Sequence, residues 1–420
     1  MGKNKATDFN LADFHFTDNP DPLSPPEDFE EWINDPVVKQ AFSFTSQQLL
    51  KAPSAQTEIL SNLDGKRRKI INMTSYNYLG LSTHPEVLQA AREGLERYGL
   101  SSSGAPIVSG TLDIHEKLAQ KIAKLKTKDA ALIFSSGYGG NVGAIQGILR
   151  KGDVMILDEK AHKSIIDGGT LSGARIDFFD HNNAKSLEEK LEKYKHKRKI
   201  IALEGVYSMD GTLAKLPEMV PLSEAYNAPI YMDEAHSTLM FGKNGGGIGE
   251  HFGLEDKIGM SYGTLSKSFG GVGGFVASNE RIIRYLKGYA SAWNFSCAPS
   301  PPVVAGLIKA IEVATRDSTL RDKLWQNTDY MKRNLEDLGL NIGGCESQVI
   351  PIIIGSSGLQ LFQFAAEMQL RGLFLQPIDY PAVPAHLRRF RISVSSQFTK
   401  EMMDEALSII EDVIVKGLNT

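Results

Sequence analysis

In the segment GTLSKSFGGVGG one lysine, Lys267, follows an apolar run and sits among small residues. An amine so placed can approach a ligand closely and, once deprotonated, can form a Schiff base with a carbonyl group. A lone lysine in a glycine-rich loop is more often a surface residue, so its neighbours decide. The run APIYM is followed by Asp233, a carboxylate that can pair with a protonated ring nitrogen or cap the next helix. His236 stands three residues on, and His162 follows a further apolar run. Either imidazole can hydrogen-bond or lie against a planar ligand, and each alone reads more readily as structural. A zinc reading fails on spacing, because no H-E-x-x-H pair occurs and no cysteine lies near.

The letters Asp233-Glu234-Ala235-His236 also spell a helicase box. A nucleotide motor needs a G-x-x-x-x-G-K-[ST] loop as well, and Gly65-Lys66 and Gly242-Lys243 are followed by Arg67 and Asn244. A net charge of −4 offers no basic footprint for a polyanion, so a nucleic-acid partner is excluded. The segment SSGYGGNVGAIQGIL instead turns from strand to helix through small residues, leaving amides near Gly137 and Tyr138 to hold a phosphate. A tight turn that merely needs glycine explains the same letters. Phosphate turn, aspartate and lysine, in this chain order, are what pyridoxal phosphate chemistry requires.

Those residues share one position relative to the elements around them. AALIFSS, DVMILD, RIDFFDH, KIIALEGV, APIYMDE, IGMSYGT and VGGFVAS are short apolar runs alternating with helical patterns. That alternation predicts an α/β fold with a mostly parallel sheet covered on both faces. Ligands of such sheets bind beyond the carboxyl ends of the strands. The residues there are Ser136-Gly137-Tyr138, Asp158 with His162, Glu204 with Ser208, Asp233 with His236, and Thr264 with Ser266 and Lys267. PEVLQAAREGLERYG predicts a helix with Leu88, Ala91, Leu95 and Tyr98 on its apolar stripe, and Leu187, Leu191 and Tyr194 mark another behind an asparagine cap. Residues 1–30 read as a loosely ordered part of an N-terminal extension, 1–69. A large domain spans 70–300, and a smaller α+β C-terminal domain spans 301–420. Two cysteines cannot build a disulfide framework, and no run reaches membrane-spanning length. A cytoplasmic protein with at most peripheral membrane contact is expected.

The ordered motifs resemble the α-oxoamine synthases, pyridoxal phosphate enzymes of fold type I that join an amino acid to an acyl thioester and release carbon dioxide. The likeness runs from about Tyr76 to Leu407 and rests on SYNYLGLSTHPEV, IFSSGYGGNVGAI, LDEKAHKSIIDGGTLSGARIDFFDHNN, LEGVYSMDGTLAKLPEMV, YMDEAHSTLMFGKNGGGIGEHFG, YGTLSKSFGGVGGFV and FRISVSSQFTKE. Its wording is most like the serine palmitoyltransferase branch. The resemblance implies that Lys267 carries the cofactor and serves as base, with Asp233, His162 and His236 as the other catalytic groups. Gly137, Tyr138, Ser208, Thr264, Ser266 and Ser296 are implied as cofactor contacts, and Asn77 and Arg391 as substrate contacts. It further implies a homodimer. The expected reaction joins L-serine to a long-chain acyl thioester, giving a 3-ketosphinganine-type ketone. The alternative is 8-amino-7-oxononanoate synthase, or a synthase of secondary metabolism fed by an acyl carrier protein. Pro106 departs from the family pattern, which often has arginine there, so recognition of the acyl donor is left open between coenzyme A and carrier protein.

Overall fold

The structure, a computed structural model, describes residues 11–15, 18–44 and 47–418. All seven apolar runs are strands: β1 Ala130–Phe134, β2 Val154–Asp158, β3 Arg175–Phe179, β4 Lys199–Glu204, β5 Ile230–Asp233, β6 Ile258–Thr264 and β7 Gly274–Ser278. They form one sheet in the order β1-β7-β6-β5-β4-β2-β3. Pairing is parallel from β6 through β3, and β7 runs antiparallel to both β1 and β6. Every residue of β2, β5 and β7 is buried, as unbroken apolar strands in a doubly covered sheet must be.

Five helices bear on the site and its packing: α1 Pro85–Tyr98, α2 Gly137–Ile148, α3 Lys163–Ser172, α4 Ala184–Lys193 and α5 Pro301–Arg316. The Asn183 side chain accepts from the Ser186 amide at 3.1 Å, and Leu187, Leu191 and Tyr194 are buried behind that cap, as the spacing predicts. The stripe expected on α1 is corrected. Leu88 and Leu95 are exposed, and the helix buries Val87 and Gly94 instead. A side chain at Gly94 would stand 2.6 Å from Ala305 Cβ on α5. Close approach of two helix backbones through small residues thus overrides the larger apolar side chains.

The chain divides into two compact units, Tyr76–Lys323 and Met1–Ser75 with Leu324–Thr420. The first contains the sheet, α1 and α5. The second holds two small sheets. In one, Gln48–Leu49, Gln56–Leu60, Arg67–Asn72 and Leu373–Phe374 lie in that order; the other places Arg389–Ser393 between Val349–Ile353 and Gln376–Ile378. These units divide differently from the boundaries expected at 69/70 and 300/301. Residues 48–72 are strands of the second unit, because β pairing to Leu373–Phe374 joins them to the C-terminal part of the chain. The loosely ordered extension is also corrected in part. Glu27–Asn34 is a helix whose Trp32 is buried among Phe14, Phe29 and Phe42, at centroid distances of 5.0, 6.1 and 5.6 Å. Residues 1–10, 16 and 17 of that expectation lie outside the described residues. Among the described residues no helix is long and apolar enough to cross a membrane. Both cysteines are free thiols, Cys297 exposed and Cys345 buried, and burial pushes the Cys345 thiol up to about 11.

Candidate active site

The register of the parallel strands sets the first feature. Glu204 at the end of β4 lies beside Asp233 at the end of β5, so two carboxylates meet in the buried centre of the sheet edge. Burial raises Asp233 above the ordinary carboxylate range; a donor from Asn141 and the nearby Lys267 ammonium oppose that rise. Glu204 is pushed up further, by burial and by the charge of Asp233. Two adjacent carboxylates in low dielectric cannot both ionise cheaply, and Asp233 holds the better donors. Its Oδ2 accepts from Asn141 Nδ2 at 2.7 Å and its Oδ1 from the Ala235 amide at 2.9 Å. Asn141 lies on α2 and donates to Ser164 Oγ at 2.9 Å, while the Tyr231 hydroxyl donates to its carbonyl oxygen. Tyr231 and Asp233 point to the same side of β5, two residues apart, so one asparagine on the covering helix serves both.

Lys267 lies in the loop after β6. The loop closes on itself through Gly270 N–H to Lys267 O and Gly271 N–H to Leu265 O, both 2.9 Å. Gly270 has φ +73°, and a Cβ there would stand 2.3 Å from the Ser82 amide nitrogen. That close approach sets the lysine loop against the SYNYLGLS segment, where Asn77 Oδ1 receives the Ser82 amide at 3.2 Å. Lys267 Nζ is 2.6 Å from His236 Nε2, and His236 Nδ1 is 2.8 Å from the Tyr78 hydroxyl. Tyr76 completes this corner, its ring edge-on to His236 and 5.5 Å from Lys267 Nζ.

The phosphate turn is built at the start of α2. Ser136 caps the helix by accepting from Gly139 N–H at 3.0 Å, which leaves the amides of Gly137 and Tyr138 for a ligand. Thr264 and Ser266 bring hydroxyls 2.8 Å apart beside that turn. A Cβ at Gly137 would lie 2.6 Å from Thr264 Oγ1, so only glycine keeps the space open. Ser296 Oγ is 3.3 Å from Ser135 Oγ, next to the same turn. An anion fits amides and hydroxyls so arranged, and a planar cationic ring fits between this turn, Asp233 and Lys267. The residues present therefore suit pyridoxal phosphate, whose phosphate, ring nitrogen and aldehyde need those three partners.

His162 caps α3, accepting from the Ser164 amide at 3.3 Å and meeting Ser164 Oγ at 2.7 Å, and its own amide donates to Glu204. Partial burial, reinforced by Lys267 and opposed by Asp233, lowers its pKa and favours a neutral ring. Ser208 sits in a tight turn closed by Tyr207 N–H to Thr212 O at 3.0 Å. Tyr138 is half exposed and its hydroxyl donates to Asp167, so only its amide faces the turn. Asp158 accepts from the amides of Lys160 and Asn182 and from His181, holding the His-Asn-Asn segment instead of serving His162. Arg391 belongs to the other unit, where it is buried in Arg389–Ser393 opposite Pro351 and Gln376. Sequence reasoning missed Asn141, Tyr231 and Tyr78. A polar residue inside the small apolar helix GGNVGAI, one turn past the phosphate turn, is the signal that marks Asn141.

Known proteins are similar to this chain in sequence and in fold. Residues 68–410 match the family model described as aminotransferase class I and II. The chain is 40% identical over 378 residues to an 8-amino-7-oxononanoate synthase of Thermoanaerobacter pseudethanolicus, covering 90% of this chain and 94% of that protein. It is 37% identical over 352 residues to a serine palmitoyltransferase of Sphingobacterium spiritivorum, covering 84% and 87%. Among solved structures, Sphingomonas wittichii serine palmitoyltransferase superposes with a TM-score of 0.85 at 31% identity, covering 89% of this chain and 93% of that one.

Proposed function

The chain belongs to the aminotransferase class I and II family and is a pyridoxal phosphate-dependent α-oxoamine synthase, an acyltransferase, and we propose that its amino-acid substrate is alanine. In the reaction the α-carbon of the amino acid bonds to the acyl carbonyl carbon. The thioester C–S bond breaks, the thiol leaves, and the α-carboxyl departs as carbon dioxide. What bound pyridoxal phosphate supplies is an electron sink for the charge that develops at the α-carbon. Lys267 Nζ carries the cofactor and takes the α-proton. Asp233 keeps the proton on the ring nitrogen, and the Glu204 beside it is the carboxyl that stays protonated. Thr264, Ser266, Ser296 and the amides of Gly137 and Tyr138 hold the phosphate. Ser208, His236 and the neutral imidazole of His162 orient the ring, and Asn77 braces the substrate side.

The identities carry the choice of amino acid. In 8-amino-7-oxononanoate the carbon bearing the amino group also bears a methyl group, which is what alanine would contribute. The 40% identity to a protein of that name exceeds the 37% to a serine palmitoyltransferase. That difference supports alanine, the amino acid of the 8-amino-7-oxononanoate synthase alternative, over serine. Serine stays as the second reading on the strength of the 0.85 TM-score. We further infer a homodimer, because Val108 and Phe295 are more than four-fifths exposed and lie on segments joined to the phosphate turn through Ala298 N–H to Gly104 O and Ser296 to Ser135.

The test is competition among alanine, serine and glycine with one acyl-coenzyme A or acyl carrier protein at a time, reading products by mass. The alanine-derived ketone should dominate. Serine winning by a wide margin would transfer the assignment to the second reading. Turnover by Lys267→Ala at the parent rate would sink both.

A further inference from the structure

Three side chains in this site form a line, and its outer member, Tyr78, has no role in the reaction as described. Tyr78 is completely buried, with its hydroxyl 2.8 Å from His236 Nδ1; His236 Nε2 lies 2.6 Å from Lys267 Nζ on the other side of the ring. A neutral imidazole carries one N–H, so the partners on its two nitrogens select the tautomer. If the phenol donates to Nδ1, the ring proton sits on Nε2 and points at the lysine nitrogen. That N–H donates to the lone pair of a neutral amine and repels an ammonium. In the opposite tautomer Nε2 would accept from an ammonium and hold the lysine in its charged, unreactive form. A phenol is a stronger donor than acceptor, because its oxygen lone pair is drawn into the ring. This favours the first arrangement.

We propose that Tyr78 is a positioning residue that keeps the proton of His236 on Nε2 and so keeps Lys267 neutral and ready to bind its carbonyl partner. Other groups that act on Lys267 include the carboxylates Asp233 and Glu204, the imidazole of His162 and the ring face of Tyr76. Both carboxylates favour the ammonium where ionised, so Tyr78 and His236 work against them at the amine itself. Coulomb attraction from Asp233 cannot be given up without losing the partner of the ring nitrogen, which makes a local opposing device useful. The inference rests on Lys267 as the cofactor-bearing amine, but its first readout does not.

Protein freed of cofactor and labelled with ¹⁵N in histidine reports the tautomer of His236 by two-bond nitrogen–proton correlations, with His236→Asn supplying the assignment. The expected pattern has the proton on Nε2 in the parent and a mixture of tautomers in Tyr78→Phe. A parent ring protonated on Nδ1 overturns the proposal. The second readout is the rate at which the visible absorbance of lysine-bound pyridoxal phosphate appears when cofactor is added to the cofactor-free protein across pH. In Tyr78→Phe the midpoint should move to higher pH, with the rate at neutral pH falling roughly tenfold, the effect of about 1.4 kcal/mol on the amine. An unchanged midpoint, even with a lower melting temperature, overturns it by reducing Tyr78 to packing. Failure of the parent to attach cofactor at Lys267 would instead strike the reading of the site itself, and the tautomer result would stand apart from it.

Discussion

Replacing Asn141 with leucine removes the donor that holds Asp233 Oδ2 at 2.7 Å while keeping the branched heavy-atom skeleton of the side chain. A hydrogen bond to a charged group contributes about 1.5–3 kcal/mol, so the ionised form of Asp233 should lose roughly ten- to hundredfold in its equilibrium with the protonated form. Burial already raises this carboxyl, and Asn141 is the largest influence opposing the rise. The variant therefore raises it further. A carboxyl raised in the folded state costs stability as pH climbs above its unfolded value, and nothing below it. The lost bonds to Ser164 and Tyr231 add a penalty that does not depend on pH. Urea unfolding of cofactor-free protein at pH 5 and pH 8 separates the two. The parent-to-variant gap should be wider at pH 8, and the acid limb of α-proton exchange in the loaded enzyme should move to higher pH. Equal gaps at the two pH values with an unmoved acid limb would refute the account of Asn141 as the clamp on an ionised Asp233.

Gly137→Ala places a methyl 2.6 Å from Thr264 Oγ1, so affinity for pyridoxal phosphate should fall at least tenfold while affinity for phosphate-free pyridoxal changes little; equilibrium binding of both compares them. Glu204→Gln removes a carboxyl held well above its ordinary value by burial and by Asp233. The raised carboxyl costs stability only as pH rises above the unfolded value, so the variant should melt higher relative to the parent at pH 8 than at pH 5, as differential scanning fluorimetry can show. Gly270→Ala combines φ +73° with a Cβ 2.3 Å from backbone nitrogen of Ser82, and should destabilise the protein by more than about 1 kcal/mol in urea melts, since a strained residue alone costs of that order.

The sheet and its strand ends were legible in the sequence because seven short apolar runs alternating with helical patterns mark a mostly parallel sheet covered on both faces, although nothing in that pattern marked β7 as antiparallel to both its neighbours. The same pattern brought Lys267, Asp233, His236, Thr264 and the Gly137 turn to one edge, since strand ends in such a sheet share an edge whatever their separation along the chain. Local chemistry also fixed the cap at Asn183, where side chain and amide are three residues apart. The faces of α1 were not legible. Leu88 and Leu95 are more apolar than Gly94, yet the helix turns the glycine inward, because a neighbouring backbone at van der Waals distance gains more from small residues than from large ones. Nor could the sequence join residues 48–72 to Leu373–Phe374, as β pairing leaves no periodic mark of its distant partner. Only the fold decided that Asn141 clamps Asp233, that Tyr78 meets His236, and that Glu204 stands beside Asp233. Each of these contacts depends on strand register or on how a helix is rotated over the sheet, and both are set by packing across the whole core instead of by any residue's neighbours in the chain.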